Sequence, residues 1–122
     1  MSKKNETLVI GASLKPNRYS NIAIKRLRDN NQPTKAIGLR AGEVEDVTIE
    51  TTLKDFKNID TVTLYLNPKR QVDYYDYIIG LQPRRVIFNP GTENPDFYKM
   101  LRNNGIEVEV ACTLVLLSTN QY

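Results

Sequence analysis

Short blocks of apolar, largely β-branched residues recur along the chain with amphipathic stretches between them. Thr7 to Ile10 is such a block, and it ends at Gly11-Ala12-Ser13, which predicts a buried parallel strand feeding a turn. From about Ser20, Ala23, Ile24 and Leu27 fall at helical spacing while Lys25, Arg26 and Arg28 point elsewhere, so a helix is expected to run into the polar Asn30-Asn31-Gln32-Pro33. Further strands are expected at about Lys35 to Leu39, Thr61 to Leu66, Arg85 to Phe88 and Ile106 to Val110. The last of these runs on into Ala111-Cys112 and the apolar Leu114 to Leu117.

Two Asn-Pro pairs punctuate this pattern as an N-cap followed by a first helical proline. Asn67-Pro68 opens a helix expected to carry Val72, Tyr75, Ile78 and Ile79 toward the core. Asn94-Pro95 opens another, with Phe97, Met100 and Leu101 as its apolar stripe and Gly105 as its C-terminal glycine. The segment from Arg40 to Phe56 is more open: Val47 to Glu50 alternates like a short strand, while Leu53 and Phe56 suit one turn of helix on the sheet edge.

Strands and helices alternate throughout, and the strands are too apolar to have a wet face. The expected class is α/β, an about five-stranded parallel sheet with helices on both faces and right-handed crossovers. Ligands of such sheets bind beyond the strand C-termini. That rule gathers the Gly11 turn, Gly38 to Gly42, Asn67-Pro68, Asn89-Pro90-Gly91 and Ala111-Cys112 onto one rim.

With 122 residues and no internal repeat or linker, the chain reads as one domain over 1–122. The 17 Lys and Arg against 14 Asp and Glu leave a formal +3, which favours an anionic ligand but lacks the dense basic face of a nucleic-acid binder. Cys112 is the only cysteine, which excludes an intrachain disulfide and a multi-Cys zinc site. The chain has no histidine, so Ser-His and Cys-His nucleophiles and phosphohistidine chemistry are excluded as well. Met1 to Thr7 is polar and no apolar run approaches the ~20 residues needed to span a bilayer, so a soluble cytoplasmic protein is expected.

The stretch Leu8 to Ser20 concentrates the chemistry. Gly11, Ala12 and Ser13 are followed by Lys15, Pro16, Arg18, Tyr19 and Ser20, just where the first helix begins. Backbone N–H groups, the positive end of that helix and two cations together suit a pyrophosphate or a ribose phosphate. The turn lacks the further glycines of G-x-G-x-x-G, and the second strand ends in Gly38-Leu39-Arg40 with no acid for ribose hydroxyls. Unphosphorylated NAD is therefore disfavoured, whereas Arg40 suits a phosphorylated ribose such as that of NADP or coenzyme A.

Val9-Ile10-Gly11-Ala12-Ser13, with Lys15-Pro16, Arg18 and Ser20, resembles the opening of the small single-domain coenzyme A-binding proteins, which are similar to the N-terminal domain of the succinyl-CoA synthetase α-subunit. Asn67-Pro68 falls where that family commonly places a residue and a proline after the third strand, and Asn89-Pro90-Gly91 occupies a loop that often carries a Gln and a Gly. Cys112 matches the family's cysteine near the chain end. Leu39-Arg40 stands where an Asn-Pro is frequent, and Ala111 where an arginine often precedes the cysteine. The resemblance covers nearly the whole length and implies a Rossmann-like domain binding CoA or an acyl-CoA. It does not carry over the synthetase reaction, whose phosphorylated histidine this chain lacks.

The leading expectation is thus a non-catalytic CoA-binding domain, with phosphates on the Gly11 to Ser20 turn and pantetheine running past Asn67-Pro68 and Asn89 to Gly91. A small NADP-linked reductase using Tyr19, Tyr74, Tyr75 or Tyr77 as proton donor is the enzymatic alternative. A scaffold protein with an unoccupied rim, in which a homodimer covers Leu114 to Leu117, is the third. Cys112 is either a thiol near the CoA sulfur or a small packing residue on a buried strand.

Overall fold

The structure, a computed structural model, describes residues 5–122; Met1 to Lys4 of the polar N-terminal stretch lie outside the described residues. In chain order the elements are β1 (Glu6–Ala12), α1 (Tyr19–Asp29), β2 (Thr34–Gly38), β3 (Gly42–Val44), β4 (Val47–Glu50), β5 (Ile59–Leu64), α2 (Pro68–Gln71), a 3-10 turn (Val72–Tyr74), α3 (Tyr75–Leu81), β6 (Arg85–Phe88), α4 (Pro95–Asn103), β7 (Glu107–Val110) and α5 (Thr113–Ser118). The seven strands form one sheet in the order β3-β4-β2-β1-β5-β6-β7. Every pairing is parallel except β3 with β4.

Two strands beyond the expected five come from the segment the periodicity left open. Val47 to Glu50 adds in parallel to β2, and Gly42 to Val44 folds back on it as an antiparallel hairpin. Its tight turn puts Glu45 at φ 55, and only three and four residues are left in the two strands to carry a pattern. Leu53 and Phe56 do not form a helical turn: Leu53 is exposed, and Phe56 packs from a loop against the core.

Strand alternation divides the core by face. Leu8, Ile10, Ile37, Val62, Leu64, Val86 and Phe88 meet the α3 and α4 side, where Ile78, Phe97 and Leu101 are fully buried. Aromatic packing closes that layer, with Tyr75 stacked on Phe97 at 4.3 Å and the Phe88 ring edge-on to both Phe97 and Tyr98. Burying a side chain such as Phe97 contributes about 2–3 kcal/mol. Val72 does not join this core and is 56% exposed. The expected single helix breaks at the 3-10 turn, and the tighter winding there takes Val72 off the stripe shared by Tyr75 and Ile78.

The opposite face is more polar. Thr7, Thr61, Thr63 and Arg85 are all buried on it beneath α1, α5 and the C-terminal residues. Arg85 donates to Thr61 and Glu109 and lies 4.6 Å from the Tyr122 ring centroid, while the Tyr122 hydroxyl bonds the Thr7 hydroxyl. Leu114 to Leu117 belong to α5 rather than to a strand or an open apolar tail. Leu116 and Leu117 are buried within the chain, Leu114 is half-buried and Val115 is exposed, so the run offers less apolar surface than an open tail would.

Asp60, at the start of β5, gives the fold an acid-sensitive joint. Burial pulls its carboxyl upward, but the Arg84 guanidinium, the Thr61 hydroxyl and the Arg85 charge together hold it below the ordinary 3.8. A carboxyl depressed in the fold stabilises it above the unfolded-state value, and that stability is lost as pH falls through the folded value. Urea midpoints of the wild type are therefore expected to fall more steeply below pH 3.8 than those of Asp60→Asn.

Candidate functional site

The chain crosses from β1 out to β2 and β4 on one side, then returns to β5 on the other, so the sheet reverses direction of growth between β1 and β5. The loops leaving adjacent strands diverge at such a point and leave a crevice. Here it is a cleft of about 590 Å³. Its lining combines the β1–α1 loop, the end of β2, the β5–α2 loop and the β6–α4 loop.

The β1–α1 loop is shaped by glycine at its start. Gly11 holds φ +93 and breaks the β1–β2 register, and a Cβ there would stand 3.0 Å from the Tyr65 carbonyl group. Gly38, opposite Ala12, is tighter still: its Cβ would meet the Ala12 carbonyl oxygen at 2.3 Å. The loop is then fastened from the helix, because the buried Asn21 donates to the Ser13 carbonyl at 2.9 Å. Asn21 gave no signal in the sequence beyond being a polar residue within the helix.

The start of α1 is electrostatically open. Arg18 occupies its N-cap position without a side-chain cap, and no acidic residue lies in the first turn. By contrast, Asn67 and Asn94 cap α2 and α4 through Arg70 and Phe97 N–H groups. First-turn N–H groups left uncapped carry the positive end of the helix dipole into whatever lies before them. Lys15, Arg18, Arg40 and Arg70 all line the cleft and no carboxylate does. Among the described residues none of the four is within ion-pair distance of an acid, whereas Arg28, Arg84 and Arg85 are all paired.

At the β5 and β6 ends the lining is Tyr65, Leu66, Asn67, Tyr74, Pro90, Gly91 and Thr92. Tyr65 reaches back from the cleft into the polar face. Burial pushes its phenol up to about 12, with the Thr113 and Thr63 hydroxyls pulling the other way and the Cys112 charge adding to the rise. Asn89 is buried behind the rim and its amide is spent on the protein: it donates to Thr63 and the Leu64 carbonyl and accepts from the Thr113 N–H. Its carbonyl in turn shapes the next loop by accepting from the Thr92 N–H and hydroxyl.

The structure therefore brings Gly11, Ala12, Ser13, Lys15, Arg18, Tyr19, Ser20, Gly38, Arg40, Asn67, Pro90 and Gly91 around one cleft. Pro16, Pro68, Asn89 and Cys112 lie outside its lining. Pro68 is the first residue of α2, and Cys112 precedes α5 at intermediate exposure rather than lying on a buried strand. Leu14 and Leu39, within the two rim segments, and Tyr74, named only as a proton donor of the reductase alternative, also line it, and Tyr65, Leu66, Arg70 and Thr92 complete the lining without having been picked out for it. Leu39 was expected to end the second strand, but β2 stops at Gly38 and leaves it 73% exposed beside Arg40.

The topology and the cleft define a doubly wound α/β domain with a cation-lined crevice at its switch point. The chain belongs to the CoA binding domain family, whose model matches residues 5–118. A solved structure described as that of an uncharacterized protein is 42% identical, with 99% of this chain and 100% of that one covered and a TM-score of 0.94. A hypothetical protein from Pyrococcus horikoshii OT3 is 27% identical over 96% of this chain and 83% of its own, with a TM-score of 0.83. A Thermus thermophilus protein at 23% identity, covering 98% and 91%, shares the fold with a TM-score of 0.85. No curated protein matches.

Proposed function

We propose that the cleft holds coenzyme A or an acyl-CoA and that the chain binds this ligand without transforming it. The observation that carries the reading is the charge of the lining: four unpaired cations and no carboxylate, arranged around an uncapped helix start. CoA carries a pyrophosphate and a ribose phosphate at one end and a long, nearly neutral pantetheine at the other, and three of the four cations, Lys15, Arg18 and Arg40, stand on the β1 and β2 side of the cleft, with Arg70 alone on α2. Lys15 and Arg18 take the pyrophosphate with the α1 N–H groups, and Arg40 takes the ribose phosphate. Leu14, Tyr19 and Leu39, all lining the cleft and each more than 40% exposed, offer apolar surface to the base. The pantetheine then follows Leu66, Asn67 and the Pro90 to Thr92 loop.

The same lining supports the non-catalytic part of this reading. The chain has no histidine, no carboxylate faces the cleft, and the Tyr65 phenol is pushed up to about 12, away from the range in which it would exchange a proton at neutral pH. Arg40 would also accept the phosphorylated ribose of NADP, so the ligand retained on purification separates the two. Native mass spectrometry of freshly purified protein is expected to show a fraction carrying the mass of CoA or an acyl-CoA. A retained mass of NADP would contradict the proposal.

A further inference from the structure

We propose that Gln71 is a positioning residue that sets the aperture of the pantetheine half of the cleft, an inference that rests on the CoA reading above. Gln71 is fully buried at the end of α2, between the two loops that wall that half. Its single Nε2 donates to the Leu66 carbonyl and to the Thr92 carbonyl, each at 2.8 Å. Leu66 follows β5 and Thr92 follows β6, and both line the cleft. One amide nitrogen thus joins the two walls, using both of its protons to do so.

The direction of that amide is imposed from behind. Asn94 donates to Gln71 Oε1 at 3.0 Å and to the Tyr75 hydroxyl at 2.8 Å, while its own Oδ1 accepts the Phe97 N–H at 3.3 Å as the α4 cap. Tyr75 stacks on Phe97, so the brace is anchored in the apolar layer. Asn94 keeps Oε1 turned toward α4, and Nε2 is thereby aimed at the two carbonyls. A buried amide with every strong hydrogen bond made has no low-cost alternative orientation. The cationic half of the cleft, Lys15, Arg18 and Arg40, stands on the segments that follow β1 and β2 and shares none of these bonds.

This separation supplies the test. Calorimetric affinities for CoA and for adenosine 3′,5′-bisphosphate, which presents only the phosphorylated end, are compared in wild type, Gln71→Met and Asn94→Asp. Asn94→Asp keeps the α4 cap but sets a carboxylate against Oε1, so it turns the amide while sparing the helix, and it remains informative should Gln71→Met not fold. Gln71→Met is expected to raise the CoA Kd about tenfold and Asn94→Asp about threefold, with the bisphosphate Kd held within about twofold in both. Equal weakening of both ligands, or no change for CoA, overturns the positioning role while leaving CoA binding intact. A wild type that binds the bisphosphate but gains nothing from the pantetheine overturns it also, and one that binds neither ligand removes the CoA reading and this inference together.

Discussion

Replacing Lys15 and Arg18 together with alanine is expected to raise the Kd for CoA by at least 100-fold and to leave the thermal unfolding midpoint nearly unchanged. Both side chains are exposed, neither is paired with an acid among the described residues, and their removal deletes no core contact. What they lose is the ligand. A charge-assisted hydrogen bond to a phosphate contributes about 1.5–3 kcal/mol, so two such bonds multiply to the stated factor. Titration of the double variant, alongside a melting curve, checks both halves. An unchanged affinity would move the phosphates to Arg40 and Arg70.

Gly38→Ala is expected to do the reverse, costing about 3 kcal/mol of stability and taking ligand binding with it. The new Cβ would lie 2.3 Å from the Ala12 carbonyl oxygen and 3.0 Å from Ile49 Cγ2. The first contact is backbone, in the middle of the sheet, and cannot be relieved by a side-chain rotation; overpacking of this kind costs about 1–3 kcal/mol or somewhat more. Relief requires β1 to separate from β2 at the point where Ala12, Ser13 and Arg40 converge on the cleft. Gly80→Ala serves as the matched control. Gly80 lies in α3 with nothing within 4 Å of its Cβ position, so alanine there should stabilise by about 0.5–1 kcal/mol through helix propensity. Chemical denaturation of the two variants reads both signs. Similar midpoints for both would contradict the packing argument.

β1, β5 and β6 were legible as short, largely apolar runs ended by a turn signal, which is what burial on both faces imposes, whereas β2 was marked by Pro33 before it and the edge strand β7, Glu107 to Val110, by Gly105 before it, since none of its residues is fully buried. Of the hairpin, β4 showed itself only as the alternation of Val47 to Glu50 and β3 not at all. Three residues are too few for a period to declare itself, and Gly42 belongs to β3 for reasons of contact, since a Cβ there would strike Leu14 at 2.6 Å. Val72 was misplaced because helical spacing was carried through a 3-10 turn that the residues around it do not announce.

The first half of the cleft was legible for a local reason: Gly11 to Ser20 is one contiguous loop and helix start, and its cations lie beside its glycine. The second half is assembled from residues far apart in the chain. Tyr65 and Leu66 read as strand, Arg70 and Tyr74 as helix, and only the juxtaposition of the β5 and β6 loops turns them toward one space. Gln71 and Asn89 were legible least of all, Gln71 unnoticed and Asn89 taken for a ligand contact. Gln71 bonds carbonyls of the two neighbouring loops and Asn89 bonds Thr63 and the Leu64 carbonyl of β5, and nothing in local spacing records such partners. Cys112, singled out by type, lies beyond the cleft lining.

Isothermal titration of the wild-type protein with CoA, acetyl-CoA, NADPH and NADH tests the central claim most directly. Saturable binding of CoA and acetyl-CoA is expected, with much weaker binding of NADPH and none of NADH, whose adenosine ribose carries no 2′- or 3′-phosphate for Arg40. Binding of NADPH in preference to CoA, or no heat from any of the four, would contradict it.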